Sequence, residues 1–143
     1  MTTLPDALLS FGKSNMNLNV HSDTLYLCEP KAKSRTRGHF LLPDHAKEPR
    51  DNGAVLNIAN IMKDVMSPAA EAELGALFLN PRQALPARTT LFEMGHPQPP
   101  TPIQTDNTAP LVFVGKYLIP KATKSTYMQH WWMRNRSDQK QFR

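Results

Sequence analysis

The chain has 143 residues, enough for one domain with a modest core. Its 17 Lys and Arg against 12 Asp and Glu give a formal charge of +5, which favours an anionic partner such as nucleic acid. A sole cysteine, Cys28, excludes an intramolecular disulfide, and neither a signal-peptide pattern nor an apolar run near the roughly 20 residues of a membrane span is present, so the expectation is an intracellular protein, cytoplasmic or nuclear and not secreted.

Thirteen prolines against six glycines predict broken elements or a loop-rich chain. Residues 1–14 read as an irregular lead-in and 15–143 as the domain. From Leu18 the side chains alternate, Leu18, Val20 and Ser22 one way and Asn19, His21 and Asp23 the other, which predicts a strand with Asp23 at its end. A basic polar link, Glu29 to Arg37, precedes a second strand in GHFLLP. Asp51-Asn52-Gly53 is a turn signal before an apolar run, so residues 40–58 read as a long-looped hairpin with a third strand near Ala54–Ile58.

SPAAEAELGALFLN predicts a helix, with Ser67 as N-cap and Pro68 in the first turn. Pro81 and Pro86 should break or kink it, at about 3 kcal/mol each in a straight helix, and Gly95-His96-Pro97 should end it. Ile103 to Asp106 reads as a fourth, short strand, with Ile103 and Thr105 on one face and Gln104 and Asp106 on the other. Ala109 to Tyr117 reads as helical or irregular, and the basic-aromatic segment KATKSTYMQHWWMRNR as a final helix. The resulting order is that of a mixed α/β domain.

Three acids stand at comparable places: Asp23 at the end of the first strand, Glu71 or Glu73 on the first helix, and Asp106 at the end of the fourth strand. If the first and fourth strands are neighbours, their ends bring Asp23 and Asp106 together. Crowded carboxylates raise one another's pKa and are relieved by a hard divalent cation. An acid before Asn107 is equally a common turn or helix-start residue. Glu71 and Glu73 lie about 200° apart around a helix, on either side of the stripe Ala70, Leu74, Leu77 and Phe78, so helical geometry leaves the choice open. In the tail, Lys121, Lys124, Arg134 and Arg136 alternate with Tyr127, Trp131 and Trp132. That pattern suits phosphate contact and base stacking, and equally a helix with a tryptophan in the core and its basic residues in water. The five histidines show no zinc spacing.

The segments LNVHSD, KAKSRTRGHFLL, NGAVLNI, SPAAEAELGAL and EMGHPQPPTPIQTDN, followed by TK before a basic-aromatic stretch, stand in the order of a known family. From about Leu18 to Phe142 the chain resembles the ribonuclease H domain of the reverse transcriptase of copia-type LTR retrotransposons. The resemblance implies an α/β, ribonuclease H-like fold, a mixed sheet flanked by helices. It implies an endonuclease that cuts the RNA strand of RNA–DNA hybrids with two Mg2+ ions and reads its substrate mainly by shape, phosphates and 2′-hydroxyls. Matched residue by residue, Asp23, Glu73 and Asp106 correspond to the catalytic, metal-ligating acids, and the resemblance thus selects Glu73 over Glu71.

The sequence departs from the family pattern at Thr24 and Leu25 after the first aspartate, at Pro81 and Pro110, and at Tyr127, where aspartate is common. At QFR the family continues into a last strand and a helix with a fourth acid, so the expected fold is a C-terminally truncated copy lacking both. The expected partner is an RNA–DNA hybrid or other nucleic acid, with no membrane. Two alternatives accompany this expectation: a non-catalytic nucleic-acid-binding or interaction module, and a remnant without function.

Overall fold

The computed structural model describes residues 10–43, 52–63, 69–106 and 124–143, with only the backbone given at residues 70 and 124–127. The sequence expectations at residues 1–9, at Asp51, Ser67 and Pro68, and over Ala109 to Tyr117 lie outside the described residues. The elements are β1 (Asn19–Glu29), β2 (Lys33–Leu41), β3 (Leu56–Ile61), α1 (Ala69–Glu93), β4 (Ile103–Gln104) and α2 (Lys124–Asp138). Among the described residues they make a mixed α/β fold, with a four-stranded sheet in the order β3-β2-β1-β4 and two helices. The strand pairs β1/β2 and β2/β3 are antiparallel, and β4 runs parallel to β1.

The β1/β2 hairpin is longer than the sequence suggested. Lys33 to Arg37 belongs to β2, and the expected link shrinks to a turn over residues 30–32, with Lys31 and Ala32 at φ 62° and 52°. The basic residues concealed this strand. On its other face Ser34, Thr36, Gly38 and Phe40 are all buried beneath α1, at the period of a strand but mostly without apolar character. Cys28 is exposed near the turn.

The helix α1 continues through Pro81 and Pro86 rather than ending there. Each proline removes an amide donor and would cost about 3 kcal/mol in an isolated helix. Packing offsets that loss. Pro81 is fully buried beside the stripe Ala72, Ala76, Leu77, Asn80 and Ala84, which covers β1 and β2. Beyond Glu93 the helix closes with the two hydrogen bonds of a Schellman motif. His96 N–H donates to Leu91 O at 2.9 Å and Gly95 N–H to Phe92 O at 3.0 Å, with Gly95 at φ 90° as a glycine permits.

Leu18, Val20, Phe40, Leu77, Ala84, Ile103, Met133 and Phe142 form the main core. Trp132 packs against it, edge-on to Phe78 at 5.3 Å, while Trp131 is 42% exposed. The chain end adds a further rung beside β4. Thr101 bridges Phe142 in parallel, Thr101 N–H donates to Gln141 O at 2.9 Å and Ile103 N–H to Arg143 O at 2.9 Å. Gln141 to Arg143 thus pairs alongside the segment leading into β4 through an isolated parallel bridge at Phe142, where the sequence suggested no pairing. Among the described residues no helix is long and apolar enough to cross a membrane.

Candidate metal centre

Each acid of the cluster is carried by a different element. Val20 pairs with Ile103 and His21 with Gln104, so the same parallel register continued by two residues sets Asp23 level with Asp106. Asp23 falls within β1, which runs on to Glu29 rather than ending there as the alternation suggested, and Asp106 lies two residues past β4; the N-terminal part of α1 brings Glu73 beside them. Oxygen atoms of Asp23, Glu73 and Asp106 all lie within 4.8 Å of one another, with Asp23 and Glu73 half-buried and Asp106 exposed. Glu71, the other candidate on α1, is outside this group.

Thr24 holds two of these carboxylates. Thr24 N–H donates to Asp23 Oδ1 at 2.7 Å, fixing that side chain against its own strand. Burial pushes the Glu73 carboxyl above the ordinary glutamate value, and the charges of Asp106 and Asp23 push the same way. The Thr24 side chain opposes them with a hydrogen bond to Glu73. Thr24, one of the departures from the family pattern, is therefore a supporting residue of the cluster. Nothing in its sequence context beyond adjacency to Asp23 signalled that part.

Three oxygen-only donors in one small space could hold a metal ion. Such a donor set suits a hard divalent cation, whose charge would relieve the repulsion. Magnesium–oxygen distances of about 2.0–2.1 Å set adjacent ligand oxygens roughly 3 Å apart. The observed spread allows that with a small inward movement of side chains that now repel.

At the opposite end of β1 and β4, two side chains tie the acid-bearing elements together. Arg88 of α1 donates to Gln98 O at 3.2 Å, to Pro99 O at 2.7 Å and to the Thr101 hydroxyl. Its burial lowers the guanidinium pKa from the usual value. Gln98 in turn donates to Met16 O at 2.8 Å and accepts from Leu18 N–H at 3.0 Å. The segment leading into β4 is thereby fastened to α1 on one side and to the start of β1 on the other. Sequence reading missed both residues, because a glutamine among prolines looks like an extended link.

The proposed nucleic-acid contacts fare unevenly. Lys121 lies outside the described residues, and the Lys124 side chain is not described. The Arg134 guanidinium lies 5.6 Å from the Trp131 ring centre. Arg136 sits 5.4 Å from the Trp132 ring and donates to Gln139 Oε1 and Gln141 Oε1, so it braces the turn that carries Phe142 into the sheet. No protein-family model, curated protein or solved structure matches the chain.

Proposed function

We propose that the chain is a ribonuclease H-like domain of retrotransposon origin that, loaded with Mg2+, cuts the RNA strand of RNA–DNA hybrids. The observation that carries this is the convergence of Asp23, Glu73 and Asp106 from β1, α1 and the segment just past β4, on a sheet ordered β3-β2-β1-β4. It joins the sequence resemblance, which assigns the metal-ligating role to the same three acids.

Asp23, Glu73 and Asp106 would hold the cations through carboxylate oxygens, with Thr24 orienting Asp23 and Glu73. Two bound ions supply a water nucleophile at neutral pH and charge stabilisation for the leaving oxygen. Asp106 is the most exposed of the three and so the one most open to a phosphodiester arriving from solvent. Glu73 must be ionised to serve as a ligand, so ion binding competes with its proton as pH falls into the raised Glu73 range.

The test is hydrolysis of an end-labelled RNA–DNA hybrid by wild type and Asp106→Asn in Mg2+ and in EDTA. Expected is RNA-strand cleavage by wild type in Mg2+ alone, reduced on the order of a hundredfold or more in the variant. Absence of cleavage by wild type would remove the enzymatic assignment. A second reading, binding without cleavage, draws on exposed Trp131 with Arg134 beside it, a pairing suited to stacking and phosphate contact. It predicts salt-sensitive hybrid binding that survives loss of any of the three acids.

A further inference from the structure

Among the described residues β3 is an edge strand, with β2 as its one neighbour in the sheet order β3-β2-β1-β4. Met62 N–H donates inward to Ser34 O at 2.8 Å. By the alternation of an antiparallel ladder, the amides of Asn57, Ala59 and Ile61 therefore point away from β2. Edge strands are normally guarded by charge, proline or a covering element. The sequence LNIANI contains neither charge nor proline, and Leu56 and Ile61 are 42% and 47% exposed. Arg35 reaches one outward position, donating to Ala59 O at 3.4 Å.

A groove of about 510 Å³ lies between the end of this strand and α1, within the size range of ligand sites. Ile61, Met62 and Leu79 give it apolar walls, and Gly75 keeps the helix side low. Among the described residues the charged side chains lining it are Lys63 and Arg82, both exposed and both cationic. An open strand edge beside a helix-walled groove is the setting in which an extended peptide can add as a new strand, its backbone pairing with the edge and alternate side chains entering the groove.

We infer that β3 and this groove form a docking site for an extended acidic peptide, which adds to β3 as a strand and places carboxylates on Lys63 and Arg82. Charge complementarity selects the acidic side chains, and the outward amides select a peptide over a nucleic acid. A phosphate backbone would engage the two cations but cannot continue the ladder. Asp23, Glu73 and Asp106 do not line this groove, and the inference does not depend on what that cluster does.

The probe is a fluorescein-labelled, terminally blocked pentapeptide alternating glutamate and valine, followed by anisotropy with the full chain. A lysine-for-glutamate peptide and a single-stranded oligodeoxythymidine serve as comparators. Expected is saturable binding of the acidic peptide, no binding of the lysine peptide, and at least tenfold weaker binding to the surface variant Lys63→Glu/Arg82→Glu. Ala59→Pro removes one outward amide while sparing the β2 ladder, so it should abolish binding with the melting transition retained. If that variant fails to fold, amide shifts at Asn57 and Ile61 on titration of wild type report the same pairing. The inference is overturned if wild type does not bind the acidic peptide, or if neither the charge reversal nor the edge block weakens it. It is equally overturned if only the oligonucleotide binds and the charge reversal removes that binding.

Discussion

Replacing Asp106 by asparagine should stabilise the metal-free protein and remove its response to divalent cations. Two unit charges 4.8 Å apart repel by about 0.9 kcal/mol at the dielectric of water and by about 3.5 kcal/mol at an effective value of about 20. Asp106 is exposed, so the water-like figure governs, and neutralising it relieves repulsion with both Asp23 and Glu73. The expected gain is about 1–2 kcal/mol, or about 3–6 °C in Tm for a chain of this size. Saturating cation reverses the order. A ligand at a hundred times its Kd stabilises the wild-type fold by about 2.7 kcal/mol, while the variant, lacking one of three donors, gains far less. The assay is thermal melting by circular dichroism in EDTA and in saturating Mn2+. The reasoning fails if Asp106→Asn melts below wild type in EDTA, since the carboxylate would then be a stabilising turn cap, or if both proteins respond equally to Mn2+.

Further outcomes follow from the same contacts. Because Glu73 binds its proton more tightly in the fold than in the unfolded chain, the metal-free protein loses stability as pH rises from the ordinary glutamate range through the raised Glu73 value. Melting in EDTA across that window should show the fall, and Glu73→Gln should flatten it. Metal affinity runs the opposite way, rising with pH until Glu73 is ionised, as titrations in Mn2+ will record. Arg88→Ala removes the donor to Gln98 O, Pro99 O and the buried Thr101 hydroxyl and should cost about 1–2 kcal/mol. It should also weaken Mn2+ binding by the folded protein, because Asp106 follows this segment. A methyl group at Gly38 would lie 2.6 Å from Asn80 Oδ1, and Asn80 is pinned by hydrogen bonds to Ser22 Oγ and Arg37 O. Gly38→Ala should therefore cost about 1–3 kcal/mol in a denaturant melt.

The parts of this structure that were legible from sequence are those whose signal is local. Alternation from Leu18 marked β1, the run after Gly53 marked β3, and Ile103 to Asp106 marked β4. Gly95 marked the end of α1 through the left-handed conformation that it adopts. What stayed hidden depends on partners distant in sequence. The buried face of β2 is built from Ser34, Thr36 and Gly38, small residues that fit beneath α1 but carry little hydrophobic signal. Pro81 and Pro86 oppose helix locally, and only packing on the sheet and α2 keeps α1 continuous. Phe142 looked like the end of a basic tail, yet it enters the core once Thr101 supplies a strand edge for it. The acidic cluster was half legible. Position along the chain suggested Asp23 and Asp106, whereas helical geometry could not separate Glu73 from Glu71, because the choice depends on how α1 docks across β1.

The most direct test of the central claim is an anomalous-difference map from crystals of the wild-type protein soaked in Mn2+. The account predicts density for one ion, or two about 4 Å apart, ligated by carboxylate oxygens of Asp23, Glu73 and Asp106, and no such density in Asp106→Asn crystals. Crystals that bind Mn2+ elsewhere, or leave these three side chains without an ion at saturating Mn2+, would contradict it.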